Sequence, residues 1–162
     1  MNRLNGMRKA GFAALGLTLV FIWVQSMLPE KVSGAESGAV LGWIGPLLAR
    51  LFGAGSATDH VVRKLAHFTE YTALGFLMLN GSERLMRALR SGLGMRELSP
   101  AWSRAADAAL GADLCFAAAF LDETIQIFSG RGPGIADVWL DFAGSVFGLL
   151  LASLLYGKRI QK

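Results

Sequence analysis

FLDETIQIFSGRGPGIADVWLDFAGSVFG, residues 120–148, sets four carboxylates (Asp122, Glu123, Asp137, Asp141), the amide of Gln126 and the guanidinium of Arg131 in apolar sequence around a glycine-rich turn. Ionisable groups inside a bilayer cost roughly 2.5–3.5 kcal/mol each at the centre of a spanning helix, so such a cluster marks either a site or a helix pair glued by charge. Asp137 and Asp141 are one helical turn apart on one face, roughly 6 Å along the axis. On the other side of the turn, Asp122, Glu123 and Gln126 close the preceding apolar run.

The rest of the chain supports a membrane setting. Its 162 residues are 53% apolar and only 17% charged, with a mean hydropathy of +0.44, too apolar for an ordinary soluble domain. Four stretches approach the length of about 20 residues that a spanning helix needs, residues 9–28, 61–79, 108–128 and 138–156. The expected fold is therefore all-α, a single membrane domain of four transmembrane helices over residues 1–162. Ser33-Gly34-Ala35 resembles a small-residue cleavage site but lies rather far from the apolar run, so the basic start and apolar run of the first stretch fit an uncleaved signal anchor.

The net charge of +4 is explained by topology rather than by a nucleic-acid partner. Arg3, Arg8 and Lys9 precede the first stretch, Arg84, Arg87, Arg90, Arg96 and Arg104 lie between the second and third, and Lys158, Arg159 and Lys162 follow the last. This alternation places both termini and the middle loop in the cytoplasm of a multi-pass inner-membrane protein. The single cysteine, Cys115, falls within the third stretch and can form no intramolecular disulfide. Residues 40–53, VLGWIGPLLARLFG, are apolar but short and interrupted by Pro46, which suggests an interfacial or re-entrant helix with Trp43 at the headgroup layer.

With that topology the second span enters from outside, and its start, VVRKLAHFTEYTALGFLMLN, brings Arg63, Lys64, His67, Glu70 and Tyr71 to the depth of the acidic cluster. Lys64, His67 and Tyr71 share one helical face; Arg63, His67 and Glu70 share the adjoining stripe. Five carboxylates (Glu70, Asp122, Glu123, Asp137, Asp141) then face Arg63, Lys64, Arg131 and one imidazole, and the acids outnumber the cations by one even with His67 protonated. Protonation, a divalent cation or entry of water would each relieve the excess. Asp113 lies nearer the cytoplasmic side and suits helix pairing or the interface better than chemistry. Gly144 and Gly148 form a GxxxG that lets a neighbouring backbone approach.

These groups permit two kinds of function. His67 and Glu70 could exchange protons, with Asp137 and Asp141 orienting a water or a cation, while Lys64 and Arg131 hold an anion; Tyr71, Asp122, Glu123 and Gln126 would complete the lining. Alternatively the charges pair with one another, and the protein is a scaffold or transporter-like element whose cluster is structural. Metal dependence stays open, because His67 is the one histidine within the cluster and no HExxH or cysteine pair accompanies it.

RKLAHFTEYTALGFL (residues 63–77) and LDETIQIFSGRGPGIADVWLDFAG (residues 121–144) together resemble the VanZ-like family, named after a teicoplanin-resistance protein. The first follows a K-x-x-H-F-x-E-Y pattern and the second D-E-x-x-Q-x-F-x-G-R followed by two spaced aspartates; the resemblance extends over about residues 61–155. Ile125 and Ser129 depart from it, standing where many relatives have histidine and proline. The resemblance implies an integral protein of the bacterial envelope, of a family related to antibiotic resistance, and marks Lys64, His67, Glu70, Tyr71, Asp122, Glu123, Gln126, Arg131, Asp137 and Asp141 as its signature positions. It implies no settled reaction. A membrane lipid or lipid-linked envelope precursor is the expected partner, and the oligomeric state is left undetermined.

Overall fold

The computed structural model describes residues 2–157 except 54, 56, 96, 97, 131 and 133. The described residues form six helices and no strand: α1 (Asn2–Met27), α2 (Glu30–Phe52), α3 (Asp59–Gly81), α4 (Glu83–Gly92), α5 (Pro100–Phe128) and α6 (Ile135–Gly157). Their boundaries follow local chemistry. Thr58 caps α3 by accepting from Val61 N at 3.3 Å, Ser99 caps α5 from one residue before Pro100, and Gly53 and Gly130 take positive φ just beyond α2 and α5. The all-α expectation holds.

Among the described residues, two helices contain stretches long and apolar enough to cross a membrane, Ala10–Met27 and Ile135–Leu155. On that criterion the sequence expectation of four spans is met only in part. In α3 and α5 the runs are interrupted by Arg63, Lys64, His67 and Glu70 and by Asp113, Asp122 and Glu123. The charge that lowers the mean hydropathy of α5 is partly turned inward, since Asp122 and Glu123 are buried, whereas Asp113 is exposed.

The second difference is α2. In place of a short element over residues 40–53, the helix begins at Glu30, immediately after Pro29, and runs through Pro46. A proline inside a helix removes one hydrogen bond but ends it only where nothing else holds it; here Gly45 and Leu48 are buried beside that point and α2 packs along α3. Trp43, at 88% exposure, faces outward.

The most extensive contact is between α3 and α6, followed by those of α1 with α3 and α5 with α6. At the α3–α6 crossing, Gly144 lies against Phe68, where a Cβ would come within 2.6 Å of the Phe68 carbonyl oxygen, and Gly148 lies directly on the Thr72 carbonyl. The GxxxG thus serves as the sequence suggests, bringing two parallel backbones into contact. Ile22, Tyr71, Leu74, Met78, Cys115, Ala119 and Leu149 form the core between the helices. Leu17, Val20, Phe120, Leu150 and Leu154 are exposed on the outside of the bundle.

Candidate functional site

The site lies where the N-terminal turns of α3 and α6 meet the C-terminal turn of α5. His67 projects from the third turn of α3 toward two acids on different helices. Its Nδ1 is 3.5 Å from Asp141 Oδ1 and 3.9 Å from Asp122 Oδ2. One turn earlier, Lys64 Nζ meets Asp137 Oδ1 at 2.8 Å, both side chains about one-third exposed. Lys64 and His67 therefore face Asp137 and Asp141 as two successive rungs between α3 and α6.

The end of α5 supplies the third wall. Gln126 Nε2 donates to Glu123 Oε1 at 2.7 Å and to Asp122 Oδ2 at 3.4 Å. Glu123 Oε2 in turn accepts from the backbone N–H of Gly134 at 2.9 Å, tying the turn between α5 and α6 to the cluster. Glu123 is thus held by neutral donors. Asp141 differs: its side chain is fully buried, yet neither carboxylate oxygen has a hydrogen-bond partner among the described residues. Asp122 Oδ1 and His67 Nδ1 are bare in the same sense.

A cavity of about 150 Å³ opens onto this arrangement, lined by Lys64, His67, Glu123, Gln126, Asp137 and Asp141, with Glu30, His60 and Arg63 among the remaining lining residues. A second, mostly apolar groove of about 430 Å³ runs between α2 and α3, past Val40, Ile44, Val62 and Leu65. Arg63 and His67 line both.

Seven of the ten expected residues, Lys64, His67, Asp122, Glu123, Gln126, Asp137 and Asp141, come together in this way. Glu70 lines the apolar groove beside His67 rather than the cavity. Tyr71 is wholly buried and donates to the Ala118 carbonyl at 3.3 Å, a core role beneath the cavity rather than a lining one. Arg131 lies outside the described residues. Arg63, counted among the balancing cations, is paired with Asp59 one turn back at 3.0 Å.

Sequence reasoning passed over Glu30, Ser26 and Ser145. Ser145 follows Asp141 by one turn and is fully buried with its hydroxyl unpartnered, as is Ser26 near the end of α1. A small polar residue one turn below a buried acid was a legible sign for Ser145; nothing local distinguishes Ser26. Glu30 reaches the cavity rim because α2 starts ten residues earlier than expected.

Comparison with known proteins agrees with the resemblance carried by the two signatures. No curated protein and no solved structure matches the chain. Residues 12–156 match the profile of the family described as VanZ/LLP1, which takes in both signatures and most of the chain. The chain belongs to the VanZ/LLP1 family.

Proposed function

We propose that this protein is a bacterial inner-membrane protein in which α1, α3, α5 and α6 all span, with both termini cytoplasmic, and that its charged pocket opens to the outer leaflet and binds or acts on an anionic lipid or lipid-linked envelope precursor. Family membership and the two strongly apolar helices support the membrane setting. The alternation of basic segments supports the orientation.

One observation carries the lipid reading: a polar cavity and an apolar groove meet at Arg63 and His67. An amphiphile needs both, since its headgroup must find charged partners while its chains stay in an apolar medium. The cavity of about 150 Å³ is smaller than drug-sized pockets of roughly 300–1,000 Å³ and suits a phosphate-sized group. Lys64 gives that group a cationic partner at the rim, with the His60 imidazole beside it, and Lys64, already on Asp137, would exchange that carboxylate for the incoming anion.

The competing reading, a transporter-like or scaffolding protein whose cluster only holds helices together, draws on the Lys64–Asp137 and Gln126–Glu123 pairs. It gives no account of a buried Asp141 that makes no hydrogen bond among the described residues. Mass spectrometry of envelope lipids incubated with the purified protein, with and without divalent cations, separates the two. The lipid reading expects one anionic species to be converted by, or retained on, the wild type and to be lost from Lys64→Met and Asp141→Asn. Folded variants that retain or convert the same lipids as the wild type would leave the cluster as a scaffold.

A further inference from the structure

We propose that His67, Asp122 and Asp141 bind a divalent first-row transition-metal cation of the zinc or manganese type. The three come from α3, α5 and α6, and a donor atom from each lies within 4.8 Å of the others. The separations, 3.5 Å from His67 Nδ1 to Asp141 Oδ1 and 3.9 Å to Asp122 Oδ2, are too long for good hydrogen bonds. They suit donors placed around one ion with bonds of about 2.0–2.2 Å, which stand apart by up to about twice that length.

The independent sign is the state of the carboxylates. Asp141 is fully buried with both oxygens lacking a hydrogen-bond partner, and Asp122 Oδ1 and His67 Nδ1 lack one as well among the described residues. Buried polar groups left in this way cost about 1–3 kcal/mol each, and more when charged. A shared proton would serve two of these oxygens. A cation serves carboxylates and imidazole together and offsets the charge. Lys64 cannot do so while it is held on Asp137 at 2.8 Å.

The surroundings act as an outer layer. Gln126 Nε2 approaches Asp122 Oδ2 at 3.4 Å and leaves Oδ1 free, and the close seating of Gly144 on Phe68 fixes the spacing between the helices that carry Asp141 and His67. His67 and Asp141 also line the cavity, so an ion has a path in, and three protein donors leave a position for water or for an oxygen of a ligand. An imidazole beside two carboxylates favours zinc or manganese over magnesium or calcium, which prefer all-oxygen sets. This inference deepens the proposed reading of the pocket, in which the ion would meet an anionic headgroup.

The test uses the full-length protein in detergent, stripped with chelator and titrated calorimetrically with Zn²⁺, Mn²⁺ or Mg²⁺ alone, without lipid, so that failure here is distinct from failure to bind lipid. The expected result is one Zn²⁺ or Mn²⁺ per chain, without displacement by equimolar Mg²⁺. Asp141→Asn and His67→Gln should weaken binding by more than the roughly 10–100-fold that outer partners are worth, while Asp107→Asn, an acid paired with Arg90 away from the site, binds like the wild type. If Asp141→Asn does not fold, His67→Gln decides. Absence of binding to the wild type, equal binding by the folded site variants, or ready displacement by Mg²⁺ would overturn the proposal.

Discussion

The α3–α6 seam has two halves built on opposite principles. Toward the middle of the helices, Gly144 and Gly148 seat on the carbonyls of Phe68 and Thr72, and Gly75 sits against Ser145 of the opposite helix. Backbone meets backbone with no charge. One turn toward the helix N-termini, the same two helices oppose Lys64 and His67 to Asp137 and Asp141, and Asp141 is left without hydrogen bonds among the described residues. The glycine half is packed as a stability device should be. The charged half is not, and an arrangement that works against stability points to a ligand.

The sharpest break of this comparison is Gly148→Leu. The Thr72 carbonyl leaves no room for even a Cβ, so the helices must separate along their length, and the expected cost exceeds the roughly 1–3 kcal/mol of ordinary overpacking. Size-exclusion profiles in detergent should show loss of the monodisperse folded species.

Gln126→Leu comes next. It removes the donor shared by Glu123 and Asp122, and leaving those buried acceptors short should cost about 1–3 kcal/mol, seen as a lower thermal midpoint.

Lys64→Met breaks an ion pair whose partners are about one-third exposed. With solvent screening its effect on stability is about 0–1 kcal/mol, while lipid retention should fall far more. That disproportion would sharpen the division between the two halves. At the small end, Trp43→Ser changes a side chain that is 88% exposed and should move the midpoint by less than about 0.5 kcal/mol. Its effect, if α2 lies at the interface, should be confined to partitioning of the protein between lipid phases.

Much of this division was legible in the chain itself. Gly144 and Gly148 four apart announced the close crossing, and the periodicity of Lys64, His67, Asp137 and Asp141 put them on facing stripes. Glu70 and Tyr71 were harder, because neighbouring positions on one helix differ by about 100° in direction, and only packing against α2 and α5 decides which of them enters a cavity. The start of α2 was hidden by Pro46, whose local preference was outweighed by packing on α3. Ser26 could be placed only in three dimensions, being near Asp122 because α1 and α5 run side by side in the same direction and end together, and not through sequence.

The central claim, that the charged half is held for a ligand at the expense of stability, is tested most directly by Asp141→Asn. The measurement is the thermal midpoint of the wild type and the variant in lipid nanodiscs after chelation, beside the lipid that each retains. Replacing a buried carboxylate that makes no hydrogen bond by its neutral isostere should leave the midpoint unchanged or raise it, while the retained anionic lipid disappears. A variant that melts well below the wild type and still retains the same lipid would show that Asp141 is structural glue, contradicting the account.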